Sequence, residues 1–175
     1  MRFPGVVAIF VAVSALVWAA PVTSQQPTAA GLWEQSDDKG VPESWFKIAE
    51  KDGVYSGTVV KMFQKPGDPP PESWRCAKCE GAKKNAPVIG LTLIEGMKRN
   101  GLKYEDGTIL DSRDGNVWRA LMQVSPDGRQ LEVRGYLRFE WAGRSQIWNR
   151  LPDNAMAPPN PPPGAPKAPP FSLGR

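Results

Sequence analysis

Short stretches of alternating apolar and polar residues fill the middle of the chain, from Gly31 to Leu151. Apolar positions at every second residue point one face of a strand toward a core, whereas a helix repeats every three to four residues. No long amphipathic helical pattern interrupts these stretches. The pattern predicts eight strands, at residues 31–36, 44–50, 54–63, 88–95, 107–111, 116–125, 130–139 and 144–151.

Glycine-containing turns separate the predicted strands, and most of them are Asp-Gly pairs, which are typical of hairpins. Such short turns join strands that are neighbours in space, and parallel βαβ units are therefore disfavoured. A meander that closes on itself leaves no exposed sheet edge. We therefore predict an all-β fold, a small antiparallel up-and-down barrel of about eight strands. Its expected turns are residues 37–40, Asp52–Gly53, Asp106–Gly107, Asp114–Gly115, Asp127–Gly128 and Ala142–Gly143.

The N-terminal segment has the layout of a secretory signal peptide. Arg2 precedes an uncharged apolar run from Val6 to Val17, which is shorter than the roughly 20 residues of a membrane-spanning helix. We expect cleavage after Ser24, with Ala19 as the alternative site. The protein is then periplasmic or secreted, with no stable membrane insertion after cleavage, and residues 25–30 form a short linker to the barrel.

The C-terminal segment, residues 152–175, is dense in proline. Proline removes backbone donors and interrupts helices, so this segment is predicted to be a disordered or polyproline II tail behind a barrel domain at 31–151. Two roles stay open for it. It is either a solvated extension or a spacer that reaches a partner or the cell wall.

Composition removes several classes of chemistry. The chain has no histidine, so the usual general base, the commonest metal ligand and every imidazole-based triad are missing. Its carboxylates Glu105, Asp106, Asp111 and Asp114 flank predicted glycine turns, where they accept backbone hydrogen bonds. The formal charge of +4 includes no basic run that would indicate nucleic-acid binding. We expect no catalytic residue, no metal and no cofactor.

Cys76 and Cys79 lie in a long proline-rich loop, residues 64–87. A zinc site lacks its further ligands, and a thioredoxin-type redox pair requires a helix N-terminus within a βαβ unit. An oxidising compartment favours a structural disulfide that pins the loop. Redox activity remains the alternative, because neighbouring cations would stabilise a thiolate in the reduced pair: Arg75, Lys78, Lys83 and Lys84.

Gly31 and Trp33 open the first predicted strand, and Arg150 ends the last. This arrangement resembles the lipocalin signature, in which a Gly-x-Trp motif begins the first strand and an arginine of the last strand packs over the indole. A guanidinium over an indole face gains roughly 0.5–2 kcal/mol, and its fork can cap free carbonyls. The resemblance implies that Gly31, Trp33 and Arg150 close one end of the barrel.

A wider resemblance covers 31–151. The domain resembles a family of exported bacterial proteins known as domain of unknown function 2147, in the lipocalin-like (calycin) superfamily. The resemblance implies a secreted or periplasmic protein with a lipocalin-like barrel, and no established activity. The residues that carry it are the Gly-x-Trp motif, Pro87, Val88, Ile89, Gly90, Asp106 to Asp111, Arg134, Gly135, Tyr136, Gly143, Arg144 and Trp148.

Trp118, Arg134 and Tyr136 are the candidate ligand-binding residues. Trp118 shares a strand face with Ala120, Met122 and Val124, which is expected to point inward. Arg134 and Tyr136 have a competing interpretation as an outward strand face, because they alternate with apolar neighbours.

We therefore expect a non-catalytic periplasmic binding barrel for a small apolar or amphipathic ligand, which requires an interior cavity of ligand size. One alternative is an envelope interaction or stress protein that acts through the Cys76/Cys79 loop and the tail. The other is a periplasmic thiol redox protein.

Overall fold

The computed structural model describes residues 26–157, in which eight antiparallel strands form a closed barrel. Each strand pairs with the next, and the last pairs with the first. The predicted all-β fold, an antiparallel up-and-down barrel of eight strands, is thereby confirmed. The predicted signal peptide and all but the first residues of the proline-rich tail lie outside the described residues. The strands are β1 (Gly31–Ser36), β2 (Pro42–Lys51), β3 (Val54–Met62), β4 (Thr92–Asn100), β5 (Lys103–Leu110), β6 (Val117–Val124), β7 (Gln130–Tyr136) and β8 (Arg144–Leu151).

The β4–β5 hairpin differs from its prediction. β4 was expected at 88–95 and β5 at 107–111, with the turn at Asp106–Gly107, but the chain turns at Gly101 and Leu102 instead. Asp106 and Gly107 lie inside β5, where the pairing with β6 is irregular. Gly107 is required there for space, because a Cβ would collide with the Met97 sulfur and approach the Glu95 backbone oxygen to 2.6 Å.

β7 ends three residues earlier than predicted. Its pairing with β6 stops at Tyr136, and its pairing with β8 stops at Gly135. Leu137 and Phe139 were expected on the apolar face of this strand. They are instead exposed in the connection to β8, which contains a short 3₁₀ helix at Glu140–Ala142.

Side chains from all eight strands fill the barrel interior. Phe46 stacks on Trp148 with ring centroids 4.4 Å apart, and Tyr55 meets Tyr104 edge-on at 4.7 Å. Each large apolar side chain buried in this way stabilises the fold by about 1.5–3 kcal/mol. Within the described residues the buried core begins at Ala29, so residues 25–175 contain every core residue that the structure describes. Its other members in the barrel include Trp33, Ile48, Val59, Ile94, Met97, Ala120, Met122, Val124, Leu131 and Val133.

Arg150 lies across one end of the barrel, which we call the closed end. Its guanidinium lies over the Trp33 ring, 4.1 Å from the centroid. It also donates hydrogen bonds to three backbone carbonyls, those of Thr28, Ala30 and Gly128. Gly31 leaves room for this side chain, since a Cβ at its φ of 141° would collide with the guanidinium. Partial burial lowers the pKa of Arg150, which still remains protonated at neutral pH.

Residues 26–30, expected as a linker, cover this closed end. Ala29 is fully buried: its N–H donates to the Tyr104 hydroxyl at 2.8 Å, and its carbonyl accepts from the Trp33 indole at 2.8 Å. Arg99 donates to the carbonyls of Gln26 and Pro27. The segment is therefore part of the folded domain.

Replacing Arg150 by Met should lower the free energy of unfolding by about 3 kcal/mol, because three carbonyls lose a charged donor and the indole loses its cation. Arg150→Lys should lose nearly as much, since an ammonium cannot reproduce the fork. Urea unfolding measures both. Arg129→Met, which alters an exposed arginine at the same end, should change stability by less than about 0.5 kcal/mol. A similar loss in Arg129→Met and Arg150→Met would contradict the assignment.

Candidate functional site

The end of the barrel opposite Arg150 carries the longer connections between strands, and we call it the loop end. Four connections surround it: residues 37–41, 63–91, 111–116 and 137–143. At the closed end two turns have only two residues, 52–53 and 101–102, and the third is residues 125–129. Ligand sites in β-barrels occur preferentially at the mouth, so a site is expected on the inner face at the loop end.

Trp118 lies on this inner face. Along β6 the buried side chains are Ala120, Met122 and Val124, and Trp118 continues the same alternation. It is half-buried, whereas those three are buried. Gly135 on β7 pairs with Ala120 and is the diagonal neighbour of Trp118, and a Cβ at Gly135 would lie 3.7 Å from the Trp118 Cβ. The missing side chain at Gly135 leaves one side of the Trp118 indole uncovered by β7.

A chain of polar side chains crosses the same end of the barrel. Ser44 donates to the Gln35 amide oxygen, and the Gln35 amide nitrogen donates to Gln146 at 3.1 Å. The same Gln146 oxygen accepts a long hydrogen bond of 3.4 Å from the Trp148 indole. Sequence analysis missed these residues, because isolated glutamines and serines give no pattern. The one indication in the sequence is the alternation of side chains along a strand, which places Gln146 on the same face of the last strand as Trp148.

Below this layer the interior is filled, which corrects the expectation of a ligand-sized cavity inside the barrel. Two clefts in the described part of the chain lie on the outside of the barrel. The smaller, about 120 Å³, lies between the cysteine loop and the outer faces of β4 and β5. Any ligand in this barrel must therefore bind near its mouth or on its surface.

Arg134 and Tyr136 do not share a pocket with Trp118. On β7 the inward positions are Leu131, Val133 and Gly135, so Arg134 and Tyr136 face outward. Arg134 donates to the Glu140 carbonyl at 3.0 Å and lies 3.5 Å from the Glu132 carboxylate. The interpretation of these two residues as an outer strand face is the correct one. Arg134 instead holds the connection between β7 and β8.

The larger cleft, about 390 Å³, lies where β1 and β8 separate. These strands pair only from Leu32 to Glu34 and from Asn149 to Leu151. Beyond those pairs, the Gln35–Gln146 hydrogen bond joins the two strands. The cleft lining is largely polar: Glu34, Ser36, Asp37, Asp38, Gln130, Ser145 and Asn149, with Ile147 exposed.

Lys65 fixes the turn beside this cleft. Its ammonium contacts Glu43 at 2.7 Å and Asp37 at 3.2 Å, and these hydrogen bonds raise the pKa of Lys65. The backbone N–H of Val41, and then Lys65, lower the pKa of Asp37. Both carboxylates near Lys65 are thus committed to structural contacts at neutral pH.

Cys76 and Cys79 form a disulfide, as predicted, and both are buried in the hydrophobic core. Their loop is packed against the barrel. Gly90 donates to the Val59 carbonyl at 2.7 Å, and Lys83 pairs with Glu95 at 2.7 Å. Because the sulfurs are buried, a partner thiol would reach them only after the loop opens.

Replacing both cysteines by Ala should lower the free energy of unfolding by about 2 kcal/mol, because the short disulfide loop gains freedom mainly in the unfolded chain. The barrel should still fold, with unchanged far-ultraviolet circular dichroism. Native protein should react slowly with dithiothreitol, as followed by mass spectrometry after alkylation. Reduction as fast in the native protein as in urea-unfolded protein would show that the sulfurs are accessible.

Two further observations concern the described residues alone. No three His, Cys, Asp or Glu side chains there are grouped to hold a metal ion. Their helices are too short and too polar to cross a membrane.

Comparison with solved structures supports the fold. The barrel is similar to protein HP1028 from Helicobacter pylori, which belongs to the lipocalin family. The two superpose with a TM-score of 0.62 over 74% of this chain and 87% of that one, at 15% sequence identity. At this identity the similarity establishes a lipocalin-like fold and nothing beyond it.

Comparison with curated proteins gives no match. A family model does match, over residues 31–150, which cover the barrel from the first residue of β1 to Arg150. That family is described as uncharacterized protein conserved in bacteria. This lipocalin-like chain therefore belongs to the DUF2147 family of uncharacterized bacterial proteins.

Proposed function

We propose that this protein is a non-catalytic binding protein that holds a small amphipathic ligand at the loop end of its barrel. The observation that carries the proposal is the half-exposed Trp118 on the inner face, above an interior that is otherwise filled. A large aromatic surface left open at the mouth of a lipocalin-like barrel is a platform for an apolar group.

The apolar part of the ligand would lie on Trp118 and Ile109. These residues face each other across β5 and β6, and Ile109 is also only partly buried. Both pack toward Gly135, where a Cβ would lie 3.4 Å from Ile109. The absent side chain at Gly135 keeps this platform within reach of a molecule that enters from the loop end.

The polar part would meet the amides of Gln35 and Gln146. Their mutual hydrogen bond is exposed. Beyond the bonds described above, Gln146 keeps both amide N–H donors, and Gln35 keeps one N–H donor and one acceptor site on its oxygen. An apolar platform on one side of the mouth and amides on the other match an amphipathic molecule better than a purely apolar one.

The alternative function, an envelope protein acting through the cysteine loop and tail, receives less support. The cysteine loop packs on the barrel and its sulfurs are buried, so the loop is a fixed part of the domain and does not project toward a partner. The same burial weighs against a thiol redox protein. The disulfide itself fits an exported protein, and we include export to the periplasm or exterior in the proposal.

Trp118→Ala should weaken binding of dansyl-labelled undecanoic acid by about tenfold or more, because the central aromatic contact is removed. The probe has an apolar chain and a carboxylate, and fluorescence titration measures its affinity. Trp118→Phe should retain most of the affinity, since it keeps an aromatic surface. Circular dichroism should show intact folds, because Trp118 is outside the filled core.

Trp141→Ala is the matched control, since it removes an equally large side chain that points to solvent at the same end. Its affinity for the probe should stay within about twofold of the original protein. Equal affinity in Trp118→Ala and the unaltered protein would refute the proposed site. So would equal loss in the Trp118 and Trp141 variants.

Native mass spectrometry of protein recovered from the periplasm of its own cells tests ligand and export together. We expect a chain that starts near residue 25, with a retained mass lost on denaturation. A chain that still carries residues 1–24 would contradict export. An exported chain that never carries an adduct, and fails to bind the fatty-acid probe, would contradict ligand binding.

A further inference from the structure

The connection between β7 and β8 presents bare apolar side chains to solvent. We call residues 137–143 the tip. Leu137 is 64% exposed, Phe139 59% and Trp141 80%, and the two aromatic rings are stacked with centroids 5.8 Å apart. Single exposed apolar residues are ordinary, but three within five residues, including a tryptophan, mark a contact surface.

The tip is held in a defined position. Its 3₁₀ turn at Glu140–Ala142 is fixed from the outside by Arg134, which donates to the Glu140 carbonyl at 3.0 Å. Gly143 packs tightly at its base, where a Cβ would lie 2.7 Å from the Gly135 oxygen and 3.0 Å from the Tyr136 Cβ. The aromatic pair is therefore displayed by an anchored loop and does not fold back onto the barrel.

Positive charge surrounds the tip. Arg138 lies within it, Arg144 follows it at the start of β8, and Arg119 is paired with Tyr136 at its base. With Arg134 there are four arginines, whereas β7 and the tip carry only the carboxylates of Glu132 and Glu140. The opposite side of the loop end carries the carboxylates of Asp37, Asp38 and Glu43, together with Lys39 and Lys65.

A tryptophan and neighbouring apolar residues ringed by arginines suit the interface of an anionic bilayer. Tryptophan favours the headgroup level, where its apolar ring is buried and its N–H stays hydrated. Arginines beside it are attracted to acidic headgroups. A second copy of this chain fits less well, because two tips in contact would bring eight arginines together.

We propose that the tip docks this barrel on the surface of an anionic lipid membrane, with Phe139 and Trp141 inserted at headgroup level. This docking does not depend on the ligand site at Trp118. It places the loop end, and hence the mouth of the barrel, against the membrane. The protein lies on the bilayer and does not span it.

The test is sedimentation of residues 25–175 with vesicles of phosphatidylcholine containing phosphatidylglycerol, and with vesicles of phosphatidylcholine alone. We expect binding to the mixed vesicles that weakens at high salt, and much weaker binding to the neutral ones. Phe139→Ala with Trp141→Ala should reduce binding by about tenfold or more. Arg119→Ala and Arg138→Ala should each reduce it by about fivefold.

Arg129→Ala is the matched charge control, because Arg129 is exposed at the closed end. It should bind as the unaltered chain does, and Trp118→Ala should bind vesicles normally even if it loses the fatty-acid probe. Unchanged vesicle binding in the Phe139/Trp141 variant would overturn the proposal. A dimer of the unaltered chain that becomes monomeric in this variant, without vesicle binding, would overturn it too and assign the tip to self-association.

Discussion

The contact of Arg150 with Trp33 is the constraint on which the rest of the barrel depends. The Arg150 guanidinium on the last strand covers the Trp33 indole on the first. It also donates hydrogen bonds to three backbone carbonyls, two in residues 26–30 and one in the turn between β6 and β7. β1 and β8 share only three residue pairs. The Arg150 side chain therefore supplies much of the stabilisation that further backbone hydrogen bonds would give between these two strands. With that end fixed, the strands can diverge at the other end without opening the core.

This asymmetry decides where chemistry is available. The half of the barrel near Arg150 is filled by aromatic and sulfur-containing side chains, and every buried side-chain nitrogen or oxygen in the described residues has a hydrogen-bond partner. The other half ends in glycine, amides and a partly covered tryptophan. The packed core near the closed end stabilises the barrel, and the side chains at the loop end remain available for recognition.

Local sequence patterns predicted most of the barrel, because strand alternation and Asp-Gly turns act over a few residues. The prediction failed between residues 88 and 111. There Asp106–Gly107 resembles a turn, but both residues lie inside β5. The glycine is needed because a Cβ at position 107 would collide with the Met97 side chain on β4. The Asn100–Gly101 pair was the signal that marked the real turn.

The candidate site was harder to predict, since it depends on which residues from distant strands meet. Trp118 was identified by parity along one strand. Gln35 and Gln146 become partners only when β1 and β8 come together. They are separated by 111 positions, and no local sequence pattern predicts a contact over that distance. The exposure of Phe139 follows from the place where pairing stops, which is a property of two strands together.

The short β1–β8 seam has one more consequence. Gly31 and Leu151 stand side by side at the closed end, so both extensions of the chain depart from the same pole of the molecule. A dye or a surface tether introduced beside Gly31 or Leu151 would leave the opposite pole unobstructed. The same geometry makes the barrel suited to circular permutation: a short peptide could join the segment before β1 to the segment after β8, and new termini could be made in the solvent-facing turn at Asp52–Gly53.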